Sequence, residues 1–137
     1  MRENNGGCMF LDETGRCSIH DDRPGFCRLF PLGRVYEGED FYYFLQVHEC
    51  DRARVKMKVS RWLEVPDLPA YEDYIRRWHA FCRSADRLAE GEDENLRKTV
   101  CTEILRRFFL TDWESGDFYP QFEKRLAQSR QVLGIAQ

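Results

Sequence analysis

The sequence predicts a mainly α chain, with a loop-rich, cysteine-ligated metal site and a short β-hairpin packed on a small helical bundle. Three observations predict it. Four of the six cysteines and six of the nine glycines fall in the first 50 of the 137 residues. From about residue 55 onward, apolar residues instead recur every three or four positions, as on one face of a helix. The one clearly β-prone stretch is the aromatic run 41–47. The length suits one domain and is short for two sizeable ones. We therefore read residues 1–137 as a single domain, with a cysteine-cluster segment at 1–52 and a helical bundle segment at 53–137.

The elements follow from local signals. Cys8-Met9-Phe10-Leu11 leads into a turn at Asp12–Gly15, and a second break falls at Asp21–Gly25. Pro31 and Gly33 interrupt again. Phe41–Val47 reads as a strand paired with Gly33–Tyr36 across the turn 37–40. Residues 55–64 read as a short helix ending near Val65-Pro66, and Asp67 or Pro69 starts the next. There the apolar stripe runs through Tyr71, Tyr74, Ile75, Trp78, Phe81, Cys82, Ala85, Leu88 and Ala89, and Gly91 closes it. A second stripe uses Leu96, Val100, Cys101, Ile104, Leu105, Phe108 and Phe109. A third follows Asp117, an N-cap with Pro120 in the first turn, and uses Phe118, Phe122, Leu126, Val132 and Leu133. Three amphipathic helices with short links pack as a bundle.

Composition excludes several classes. With 42% hydrophobic and 14% aromatic residues the chain can bury a core and is not a disordered one. A third of the residues are charged, and no apolar run approaches the roughly 20 residues of a bilayer-spanning helix. The net charge is −3, and neither half has the concentrated basic face that phosphate binding needs, so nucleic acid is not an expected partner. No apolar leader stretch precedes Cys8, so the expected compartment is the cytoplasm, where thiols stay reduced. Cysteines reduced at this density point to metal ligation rather than to disulfides.

Cys8, Cys17, Cys27 and Cys50 are spaced C-x8-C-x9-C-x22-C, each beside a turn or at the end of an apolar stretch. Four thiolates hold either a zinc ion or a [4Fe–4S] cluster. Both assemblies carry a formal charge of about −2 and need N–H donors and cations around them, which Arg16, Arg23 and Arg28 can supply. Zinc ribbons present C-x2-C turns, and this chain has none, whereas single cysteines from separate loops suit a bulky cluster. Phe10, Ile19, Phe26, Leu29 and Phe30 are placed to keep water from it. The cluster is the first reading and Zn²⁺ the alternative. Cys82 and Cys101 lie on apolar helix stripes and read as small buried hydrophobes.

The run Cys8-Met-Phe-Leu, Gly15-Arg-Cys17-Ser-Ile-His20, Arg23-Pro24-Gly-Phe-Cys27-Arg28-Leu-Phe30-Pro31, with the later Cys50, resembles the YkgJ-type cysteine-cluster family, the CxxCxxCC or zinc- or iron-chelating domain. The resemblance covers about the first third of the chain. It implies metal binding at Cys8, Cys17, Cys27 and Cys50 and no established reaction. The chain lacks the CxxCxxCC run that usually stands upstream in such proteins, so the expectation is either a shortened member, or a partner or an omitted segment that supplies the missing ligands. Some relatives are associated with flagellin lysine N-methylation, which gives a methylase-associated subunit as a weaker alternative, although no cofactor-binding glycine loop is seen here.

His20 and His48 flank cysteines and read as surface groups or as hydrogen-bond partners of the sulfurs. His79, beside Trp78, reads as a boundary residue. No Ser-His-Asp set or acid–base pair is recognised, so no catalytic residue is assigned. The expected function is a non-catalytic metal-binding protein, acting as a small redox or accessory subunit of a larger redox complex. The alternative is a zinc-stapled module that binds a protein partner through its helices.

Overall fold

The computed structural model describes residues 7–46, 56–91 and 93–136. Its elements are α1 (Gly25–Leu29), β1 (Leu32–Glu37), β2 (Asp40–Leu45), α2 (Val59–Leu63), α3 (Leu68–Ala89), α4 (Glu94–Ile104), a π-helical turn (Leu105–Leu110) and α5 (Phe118–Leu133). The chain is mainly α with one two-stranded antiparallel hairpin. It divides into two compact units. One comprises Met1–Val35 and Tyr42–Pro66, the other Tyr36–Phe41 and Asp67–Gln137.

In the second unit each long helix opens on an aspartate. Asp67 accepts the Ala70 amide at 3.0 Å, with Pro in the first turn of α3. Asp93 accepts the Asn95 and Leu96 amides at 2.9 and 3.2 Å. Asp117 accepts the Tyr119 amide at 3.1 Å. Such caps satisfy amides that the first turn leaves without partners. Gly134, at φ 66, ends α5 in the left-handed conformation that glycine adopts without a Cβ penalty. The core is Phe81, Ala85, Val100, Phe108, Phe122, Leu126 and Leu133, drawn from α3, α4, the π-helical turn and α5. The three-helix bundle is therefore present in this unit. Tyr36, from the tip of the hairpin, stacks on His79 of α3 with ring centres 3.7 Å apart, and Asp40 pairs with Arg76 at 2.6 Å.

Four details differ from the sequence reading. α1 was not anticipated, because one turn is too short to show periodicity. The helix expected from residue 55 begins at Val59, since Lys58 is extended at ψ 142. The second stripe does not stay α-helical but widens into the π-helical turn, which rotates the later side chains. Cys101 and Val132, read as stripe residues, are exposed. Each lies beside a buried neighbour, Val100 and Leu133, and one step along a helix turns a side chain about 100°. Val47, assigned to the second strand, lies outside the described residues.

Phe122→Ala should therefore lower unfolding stability by about 3–5 kcal/mol, whereas Val132→Ala should change it by about 0.5 kcal/mol or less. Denaturant titration of both variants checks this.

Candidate metal centre

Cys8 and Cys17 lie at the two ends of one tight loop in the N-terminal unit. Leu11 and Cys17 form an antiparallel bridge, and the Leu11 amide donates to the Cys8 carbonyl at 3.2 Å. The Ser18 amide and hydroxyl both donate to the Phe10 carbonyl, at 2.8 and 3.0 Å. The tip is organised by Asp12. Its Oδ1 accepts the Thr14 amide at 2.8 Å, the Thr14 hydroxyl at 2.7 Å and the Arg16 amide at 2.9 Å. Gly15 takes φ 78 to close the turn. The Thr14 hydroxyl, then the Arg16 amide, hold the Asp12 carboxyl below the usual carboxylate range.

Cys27 sits on α1, where its amide donates to the Pro24 carbonyl at 2.8 Å. It lines a cavity of about 340 Å³ together with Arg23, Arg28, Phe30, Met57, Arg61, Trp62 and Glu64. Glu64 anchors the cations. Arg23 Nη2 donates to its Oε2 at 3.0 Å, and Arg28 Nη1 lies 3.7 Å from the same oxygen. Arg28 also donates to the Arg23 carbonyl at 3.1 Å and to the Asp21 carbonyl at 2.5 Å. Arg23 contacts His20 Nε2 as well. Glu64 caps α2 at φ 56, a left-handed backbone uncommon for a side chain other than Gly, Asn or Asp. Trp62 Nε1 donates to the Phe30 carbonyl at 3.2 Å.

Cys8, Cys17 and Cys27 are free thiols, Cys8 and Cys27 exposed and Cys17 half-buried. Thiolates are the donors that zinc and iron–sulfur centres use, so the chemistry of these three groups fits either. Among the described residues, no three His, Cys, Asp or Glu side chains stand together as a metal-binding group. Cys50 and His48 lie outside the described residues. The shield expected from aromatic neighbours is corrected. Phe26 is 85% exposed, and Phe10 and Phe30 are exposed too, so in this stretch only Leu29 is buried. Phe26 precedes Cys27 on the outer side of a one-turn helix, which has too few neighbours to cover it. Arg16 is also exposed, so of the three expected arginines only Arg23 and Arg28 share a cavity with Cys27. Sequence reasoning missed Glu64, Arg61 and Trp62 there. Arg23 and Glu64 are 41 positions apart, and no local pattern links them.

Cys82, read as a buried hydrophobe, is half-buried. Burial, and secondarily the Asp86 carboxylate, push its thiol up to about 11, so it stays neutral and unreactive near pH 7.

The model of the CxxCxxCC family, described as a putative zinc- or iron-chelating domain, matches residues 1–56. The matched segment is similar to that family and contains Cys8, Cys17, Cys27 and Cys50. The family is the YkgJ-type one that the motif residues resemble. No curated protein and no solved structure matches the chain. No helix among the described residues is long and apolar enough to cross a membrane.

The folded-state value of Asp12 is lowered, so its hold on the loop is fully present above the usual carboxylate range and is lost as pH falls through the lowered value. Amide exchange of Thr14 and Arg16 should accordingly speed up, relative to helix α3, only in that acid window. An NMR exchange series against pH checks it.

Proposed function

We propose that the N-terminal segment binds a [4Fe–4S] cluster through Cys8, Cys17, Cys27 and Cys50, and that the chain serves as a small redox or accessory subunit in the reducing cytoplasm. The observation that carries the metal reading is the family match across all four cysteines. The sequence spacing supports the cluster over zinc, because the four cysteines are widely separated and no C-x2-C knuckle is present. The Arg23, Arg28 and Arg61 guanidiniums around the Cys27 cavity suit a thiolate centre of negative charge. The described part of the N-terminal unit has few buried apolar side chains, and a metal would tie its loops together, since site formation and folding are coupled in small thiolate domains. The protein partner is a larger redox complex, in which electrons enter and leave by way of the cluster.

Zinc is the second reading, because the family description names zinc and iron alike. It makes the segment a staple for a protein-interaction module without redox activity.

Anaerobic purification followed by metal and sulfide analysis decides between them. The cluster reading expects a brown protein with about four iron and four sulfide per chain and a charge-transfer band that bleaches on reduction. One zinc per chain and no colour would replace it with the staple. Neither metal would overturn both. Cys17→Ser and Cys27→Ser should each lose most of the bound metal and lower the melting temperature, whereas Cys101→Ser, at an exposed thiol outside the segment, should leave the metal content unchanged.

A further inference from the structure

The helical unit contains a cavity of about 240 Å³ whose lining side chains are all aromatic. Helix α3 contributes Tyr74 and Trp78, the π-helical turn Phe108 and Phe109, the following loop Trp113, and α5 Phe118 and Phe122. The cavity is a cleft open on one side, at the exposed rings of Phe109 and Phe118, rather than a sealed interior void, and its shape has a local origin. The π-helical turn supplies part of it. Thr111 donates to the Arg106 carbonyl five residues back at 3.0 Å, and this wider turn leaves Phe108 buried while Phe109, 67% exposed, stands at the rim. Such turns recur at functional sites.

The walls are held in place independently of any occupant. Arg125 lies 3.8 Å above the Trp113 ring centre. Its guanidinium donates to the Arg107 and Thr111 carbonyls at 2.7 and 2.9 Å, and to the Asp112 carbonyl. The rings brace one another edge to face, as in Tyr74–Phe122 at 4.6 Å and Trp78–Phe108 at 4.8 Å. A preformed apolar cavity with little polar lining is the usual form of a small-molecule site.

We infer that this cavity binds a neutral planar ring compound of one or two rings. Size sets the scale: a sealed apolar cavity of about 150 Å³ takes benzene, and a cleft of about 240 Å³ open on one side admits one or two rings. The lining sets the class, because none of the seven side chains carries a charge to pair with an ionic group. The Trp113 face that would best receive a cation already carries Arg125. The inference does not depend on which metal the N-terminal segment holds.

Titration of the ¹⁵N-labelled full chain with indole, followed by the indole N–H resonances of its three tryptophans, tests it. Trp78 and Trp113 should shift with a saturable curve and Trp62, outside the cavity, should not. Phe109→Ala should weaken binding roughly two- to tenfold with little change in the unfolding midpoint, because that ring is mostly exposed. Equal shifts at all three tryptophans, no shift at any, or unchanged affinity in Phe109→Ala would overturn the inference. So would the same shifts produced by tetramethylammonium, which would make the site a cation cage. Concentration-dependent dimerisation that shifts Trp78 and Trp113 without indole would assign the cavity to a second copy of the chain and likewise overturn it.

Discussion

Glu64 is the carboxylate on which the described part of the N-terminal unit converges. From one oxygen it receives Arg23 and faces Arg28, and so ties α1 to α2 and shapes the cavity at Cys27. It does so from a left-handed backbone, which costs on the order of 1 kcal/mol for a residue with a Cβ. The half-exposed carboxylate makes each ion pair worth about 1 kcal/mol or less. Strain and attraction nearly cancel. The contact therefore fixes geometry more than it stabilises, and it adds to the Arg28 carbonyl bonds and the Arg23–His20 contact in holding two arginines around the cavity at Cys27.

That balance matters because apolar burial is unequal along the chain. Among the described residues of the N-terminal unit only Leu29 and Leu63 are buried hydrophobics, whereas the helical unit buries a seven-residue cluster. At about 1.5–3 kcal/mol per fully buried side chain, two leucines do not offset the conformational entropy of ordering several turns. The Asp12 hydrogen bonds order a loop tip, but exposed bonds add little net stability. On the proposed reading a thiolate-bound metal supplies what the apolar interior does not.

The sequence made the helical unit largely legible. Asp67 and Asp117 announce helix starts through their own side chains, and the three- and four-residue spacing of Tyr74, Trp78, Phe81 and Ala85 marks a buried face without any tertiary information. The hairpin was legible for the same reason, as an aromatic run bounded by a turn. What periodicity cannot show is a change of period. The π-helical turn moved Phe109 from an expected core position to the surface, and Cys101 moved outward because a neighbour, Val100, took the core side. In the candidate site, the cysteines and Arg23 and Arg28 were legible as motif residues. Glu64 was not, because its role depends on a contact that the chain makes across 41 positions. The shielding expected of Phe26 failed for a related reason. An apolar residue is buried only where something folds over it, and on α1 that happens at Leu29 but not at Phe26.

The same logic separates the two arginine sites in function. Arg125 has a defined partner for each of its contacts: an indole face and three carbonyls whose lone pairs would otherwise be left to solvent. Its charge is spent on holding a loop. Arg23 and Arg28 share one carboxylate and line a cavity with Arg61 and a thiol, so among the described groups their positive charge exceeds the negative charge they meet. Guanidiniums that are largely shielded from water, Arg23 being only 19% exposed at its side chain, are costly without compensation. A thiolate centre carrying net negative charge is the kind of group such a cavity accommodates, and Cys27 is the residue through which it would enter.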